Sequence, residues 1–178
     1  MRVVVALLLA LIVAVPALAD DPEPYVKTCS MSQYGDLGLG WRERALVAGH
    51  VAFVGGRGSY HPMSLDPVGP GRANPLKVLV VVDPNAAPTV TIAPRSRAYA
   101  RLGYNAIRQK DSTGVPLAEG TQSVRFHACR LVPSREPWNR GTQFGGYFLV
   151  AGARCVHIDV RTQGTVLRRK LSFGVRCV

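Results

Sequence analysis

The chain has 178 residues, with 22 Lys+Arg against 11 Asp+Glu and a formal net charge of +11. That length fits one folding domain of roughly 100–200 residues, so a multidomain assembly is set aside. The cation surplus favours anionic surfaces only weakly, because the Arg excess comes with much Ala, Val, Gly and Pro, and GC-rich base composition accounts for it as readily as a partner does.

Residues 1–19 read as an export signal: Arg2, an apolar run over 3–15, and Ala17-Leu18-Ala19 before Asp20. A transmembrane span needs about 20 apolar residues, and this run is shorter and stops at Pro16. No later stretch replaces it, no Cys follows closely enough for lipid attachment, and no twin-Arg pair precedes the run. The expected product is soluble and secreted, 159 residues long, with a net charge of +10 once Arg2 is removed. Its four cysteines imply two disulfides in an oxidising compartment, and spacing alone leaves three connectivities open.

Residues 20–40 form a polar, Pro-rich N-terminal segment whose tie to the fold is Cys29. A single domain is expected over 41–178. It starts with a short helical turn over 41–47, which overlaps the beginning of a first strand over 46–54 that stops at Gly55-Gly56. A Gly- and Pro-rich loop follows over 55–75. The apolar run 77–82, stopped by Asp83-Pro84-Asn85, and the β-branched run 89–92, closed by Pro94, are expected to form a hairpin. Alternation over 97–104 places Ala98, Ala100, Leu102 and Tyr104 on one side and favours a strand, with a short helix as the alternative. Residues 105–120 read as loop.

The last third, 121–178, is more legible and carries three of the four cysteines. Over 122–130, Val124, Phe126 and Ala128 share an apolar face, with Arg125, His127 and Cys129 opposite. The run 144–150 reads as a covered strand. Over 154–161, Val156, Ile158 and Val160 point inward, and Cys155, His157, Asp159 and Arg161 point outward. Gln163-Gly164 is a candidate two-residue turn into a final strand over 166–175, where Arg169 is an exception on the apolar side.

Antiparallel pairing of 122–130 with 154–161, with Cys129 opposite Cys155, also sets His127 against His157 and Arg125 against Asp159. Phe126 then faces Ile158, and Ala128 faces Val156. This register predicts a Cys129–Cys155 disulfide and, by elimination, Cys29–Cys177, and it moves 144–150 to the opposite sheet.

Four side-chain groupings bear on chemistry. His127, Cys129, Cys155 and His157 have the donor types of a zinc or copper site, but in an oxidising compartment a disulfide with two flanking histidines explains them better, so neither metal nor cofactor is expected. Gly55-Gly56-Arg57-Gly58-Ser59 lacks the Lys-Ser/Thr ending of a phosphate loop. Ser59, His61 and Asp66 lie too close in one loop to hold a triad. The densest cationic run is Arg168-Arg169-Lys170. On a strand Arg168, Lys170 and Arg176 share a surface, with outward Arg161 nearby, and these four are the candidate binding residues. Trp41 and Trp138 lie near loops, as ligand stackers or core caps.

The segments Val124-Arg125-Phe126-His127-Ala128-Cys129, Thr142-Gln143-Phe144-Gly145-Gly146-Tyr147-Phe148-Leu149-Val150, Arg154-Cys155-Val156 and Phe173-Gly174-Val175-Arg176-Cys177 resemble a group of uncharacterised secreted bacterial proteins with a Cys-containing β-rich C-terminal domain. The resemblance covers 76–178 and implies export and a small β-rich fold, with no activity attached.

Short strands, Gly- and Pro-rich turns and two disulfides together lead to an all-β expectation, a β-sandwich of immunoglobulin-like general architecture with about seven or eight strands. The functional expectation is a non-enzymatic secreted domain whose partner is an anionic wall polymer or lipid headgroups, with nucleic acid disfavoured. The alternative is a secreted hydrolase that gathers His61 or His50 with an acid in a deep pocket.

Overall fold

The computed structural model describes residues 23–55, 65, 68–105, 114–130 and 140–177. The export segment, Arg57, Ser59, His61, Asp66 and Trp138 lie outside the described residues. In chain order the strands are β1 (Tyr25–Lys27), β2 (Ala45–Ala48), β3 (Val51–Val54), β4 (Arg72–Lys77), β5 (Leu79–Val82), β6 (Thr89–Ile92), β7 (Ala100–Gly103), β8 (Val115–Pro116), β9 (Ser123–Phe126), β10 (Thr142–Phe144), β11 (Tyr147–Val150), β12 (Arg154–Thr162) and β13 (Thr165–Phe173). Among the described residues the helical elements are short 3₁₀ turns, and no helix is long and apolar enough to cross a membrane.

The chain is therefore mostly β. Its strands form three sheets, in the orders β1-β9-β6-β12-β13, β10-β5-β3-β2 and β7-β11-β4-β8. One apolar cluster draws on all three: Phe53, Val80, Ile92, Leu102, Phe126, Phe148, Ile158 and Leu171 are fully buried within it. Phe148 sits at its centre, with ring centroids 5.4 Å from Phe173, 6.2 Å from Phe53 and 6.5 Å from Tyr104. Tyr104, buried among these rings, donates its hydroxyl to the Val78 carbonyl at 2.7 Å. A buried phenol needs such a partner, and burial holds its pKa far above the ordinary tyrosine value.

Thirteen strands among the described residues replace the seven or eight expected, partly because glycines cut two apolar runs. The run 46–54 turns at Gly49-His50, where Gly49 takes a positive φ of 59°, and becomes the β2–β3 hairpin. The run 144–150 splits at Gly145-Gly146: Phe144 pairs with Val80 of β5, while Tyr147 pairs with Lys77 of β4. The expected hairpin between 77–82 and 89–92 does not form either. Lys77 ends β4, β5 lies between β3 and β10, and β6 lies between β9 and β12.

That place of β6 also overturns the register predicted between 122–130 and 154–161. Val90 pairs with both Val124 and Val160, and Thr89 with both Arg125 and Arg161, so a whole strand separates the two expected neighbours. β6 alternates as they do, buried Val90 and Ile92 inward and half-buried Thr89 and Thr91 outward, so it satisfies both faces at once. The cysteines are correspondingly re-paired. Cys29 bonds Cys129 with a Cα separation of 4.9 Å, and Cys155 bonds Cys177 at 5.7 Å. Cys129 lies beyond the end of β9 and is buried, its N–H donating to Thr142 Oγ1 at 2.8 Å, so it does not continue the polar face of Arg125. The N-terminal segment is held by this bond and by parallel pairing of β1 with β9.

Two other expectations agree with the structure. β12 and β13 form a hairpin closed by Gln163-Gly164, both at positive φ (46° and 79°), as a type I′ turn requires. β11 lies in a different sheet from β12. Arg169 causes no bulge, because the β12–β13 register runs without interruption, and its guanidinium reaches out to the Val47 carbonyl at 3.5 Å.

Candidate functional site

The tight Gln163-Gly164 turn fixes which residues of β12 and β13 stand side by side. His157 is opposite Lys170, Asp159 opposite Arg168, and Arg161 opposite Val166. Strand alternation then puts all of these on one face, because Val156, Ile158 and Val160 are fully buried in the core behind them. Arg125 joins the same face from β9, its Nε donating to Thr89 Oγ1 at 3.3 Å. The outer face of the five-stranded sheet is thus a basic surface on which Asp159 is the one acid among the described residues.

A further cation comes from a turn, not from the sheet. After β6, Pro94 opens the 3₁₀ turn Pro94–Ser96. The turn docks on β12 through the two main-chain polar groups of His157: Ala93 N–H donates to the His157 carbonyl at 2.9 Å, and His157 N–H donates to the Ser96 side-chain Oγ at 3.0 Å. Ser96 is fully buried and also pairs with the Tyr99 hydroxyl at 2.9 Å, and that hydroxyl donates to the Cys155 carbonyl at 3.0 Å. With Ser96 locked inward, the exposed neighbour Arg95 is carried beside His157.

The result is an open cleft of about 200 Å³ walled by Arg95, His157, Asp159, Arg168 and Lys170. Desolvation holds the His157 imidazole below its ordinary pKa of 6.5, and the charges of Arg95 and Lys170 push the same way, against a smaller opposing pull from Asp159. Asp159 stands 4.0 Å from Arg168, whose side chain is 82% exposed, so this contact is weak in water. Three cations around a neutral imidazole suit an anion. The imidazole adds a second donor and a fourth positive charge when protonated.

Of the four expected binding residues, Arg168 and Lys170 line this cleft. Arg161 lies on the same face, beyond Asp159 and opposite Thr89. Arg176 follows β13, exposed beside Cys177, whose N–H donates to Ser172 Oγ at 3.2 Å. Arg95 was not legible as a site residue: nothing in Ala93-Pro94-Arg95-Ser96 says where the turn docks. The four metal-donor candidates are not gathered, since Cys129 and Cys155 belong to different disulfides and β6 separates the strands that lead to His127 and contain His157. Trp41 is buried against Ala45, Ala52 and Val81, with Arg42 5.1 Å above its ring, so it caps a core.

His50 does meet an acid. Its Nδ1 lies 3.2 Å from Asp83 Oδ2, and Arg42 approaches the other carboxylate oxygen at 3.4 Å. The group lies on the surface, with His50 and Asp83 both more than one-third exposed. No hydroxyl or thiol among the described residues bonds this imidazole. No family model, curated protein or solved structure matches this chain.

Proposed function

We propose that this is an exported, non-enzymatic β-sandwich domain that binds an anionic wall polymer through the outer face of its five-stranded sheet. The observation that carries the reading is the meeting of Arg95, Arg168 and Lys170 around His157, from three separate places in the chain, with Asp159 the one acid in the cleft wall among the described residues. Arg125 and Arg161 extend the positive surface along the sheet, which suits a polymer with repeated phosphate or carboxylate groups better than a single small ion. Export and the two disulfides are mutually consistent, and the bacterial group that the C-terminal motifs resemble implies the same compartment.

The test is sedimentation of the purified protein with isolated cell walls at about 0.05 M and about 0.5 M salt, concentrations across which screening of exposed charges becomes severe. The wild-type protein is expected to co-sediment at low salt and to be released at high salt, and R168E/K170E to stay in the supernatant at both. Binding to anionic vesicles but not to walls would transfer the site to lipid headgroups. Salt-independent sedimentation, unchanged by R168E/K170E, would sink the reading. Among the described residues, the hydrolase alternative rests on the His50–Asp83 pair. That pair gains weight only if His50→Ala abolishes a measured hydrolysis.

A further inference from the structure

We propose that a second cleft, distinct from the basic face, binds a single-ring polyol carrying one anionic group, such as a uronate or a sugar phosphate. The cleft has a volume of about 210 Å³ and is bordered by Lys27, Gln33, Lys77, Asn105, Gly145-Gly146 and Tyr147. None of these residues lines the Arg95–His157 cleft. Its size falls below the roughly 300–1,000 Å³ of sites for larger ligands, which limits the occupant to about one ring.

The floor is the Gly145-Gly146 link, where the chain leaves β10 for β11 and changes sheets. Side chains are excluded there: a Cβ on Gly146 would overlap the Tyr104 ring, and one on Gly145 would overlap the Gln33 amide. Bare peptide groups therefore remain next to the cleft, a common way to let a ligand approach the backbone closely. The Gly146 carbonyl accepts from Val78 N–H at 3.1 Å, which holds this floor against the junction of β4 and β5.

Two ammonium groups share the rim, Lys27 at the end of β1 and Lys77 at the end of β4, and among the described residues no carboxylate pairs with either. Lys27 is partly desolvated, which lowers its pKa, and an arriving anion would offset that desolvation by stabilising the charged form. Asn105 supplies the complementary demand. Its Nδ2 donates to the Glu119 carbonyl at 2.6 Å, which fixes the orientation of the amide, and its Oδ1 is buried with no donor among the described residues. An orphaned buried acceptor needs a hydroxyl or N–H. An anion answers the lysines and a hydroxyl answers Asn105, while the Tyr147 ring offers a wall for an apolar sugar face. A polyol with one anionic substituent meets all three requirements.

The test is a titration of the full secreted chain, ¹⁵N-labelled, with glucuronate, glucose 6-phosphate, glucose and acetate. At least one of the anionic sugars is expected to give saturable shifts in the amides of Gly103, Gly145 and Gly146 and in the Asn105 side-chain amide. Its affinity should exceed that of glucose and of acetate by about tenfold or more. K27M/K77M should lose about tenfold or more of that affinity, while R168E/K170E should bind as wild type, which separates this site from the basic face. If K27M/K77M loses the wild-type spectrum, Lys77→Met alone, at an exposed position, carries the comparison. Whichever anionic sugar saturates identifies the anion as carboxylate or phosphate. Absence of saturation by both, equal binding of acetate, or unchanged affinity in the lysine variants would overturn the proposal.

Discussion

Removing the Cys29–Cys129 bond is the sharpest perturbation of this fold. The bond closes a separation of 100 residues, against 22 for Cys155–Cys177. In the chain-entropy model these loops restrict the unfolded chain by about 4.7 and about 3.4 kcal/mol. The difference, about 1.3 kcal/mol, has the same sign as a native-state effect. β1 is only three residues long, with Tyr25 and Val26 both at least 36% exposed, so little apolar burial retains it on β9 once the bond is gone. Urea unfolding without reductant should therefore rank wild type above C155A/C177A, and C155A/C177A above C29A/C129A. The last should lose about 3–5 kcal/mol, the upper part of the usual range for a native disulfide. A reversed order of the two double variants would refute the reasoning. C129A/C155A tests the connectivity itself. It cuts both bonds and should expose two free thiols, Cys29 and Cys177, to a thiol reagent in unfolded protein. Finding none would restore the pairing predicted from the strand register.

Phe148→Ala should cost about 3–5 kcal/mol in the same unfolding assay, because three rings surround a fully buried site that the sheets cannot collapse to fill. Gln163→Asn should stabilise by a few tenths of a kcal/mol, since Asn tolerates the positive φ of 46° better and Asn-Gly is the favoured type I′ pair. His157 is held below its unfolded value of 6.5, so between the two values the unfolded chain binds more protons, and stability falls as pH drops through that window. His157→Gln should flatten that part of the stability profile. Binding of an anion should show the opposite trend, strengthening as pH falls and His157 becomes charged, and should lose this pH dependence in His157→Gln.

The hairpin of β12 and β13 could be read before the fold was known because its information is local. Val156, Ile158 and Val160 alternate with polar residues, and two residues capable of positive φ sit between the strands. The outward set of His157, Asp159 and Arg161 followed from the same alternation. What failed was the choice of neighbour. Alternation reports which face a residue occupies and says nothing about which strand lies beside it, and β6, over 60 residues from β12 in sequence, has a pattern that fits as well as β9 does. The agreement of Arg125 and Asp159 in one register reflected a shared outer face, with Thr89 and Thr91 standing between them, whereas Cys129 is buried beyond the end of β9 and off that face.

The breaks at Gly49 and at Gly145-Gly146 were missed for a related reason. A glycine inside an apolar run is tolerated in a strand at modest cost, so its presence does not announce a turn. In Gly145-Gly146 the requirement comes from Gln33 and Tyr104, which approach from distant parts of the chain. Arg95 was hidden in the same way: its place depends on Ser96 finding the His157 N–H, a contact spanning 61 residues.

The position of β13 has a consequence for how molecules of this protein meet. Among the described residues it is the last strand of its sheet, nine residues long, with no strand paired to its other edge. An edge of that length is a template on which a second copy could add its own strand. Arg168-Arg169-Lys170 stands in the middle of it, and two such edges brought together antiparallel would place these cations near one another. The charge that suits a polyanion thus also keeps neighbouring molecules from zipping edge to edge. Neutralising all three cations should be felt first as aggregation in concentrated solution, before any loss of fold.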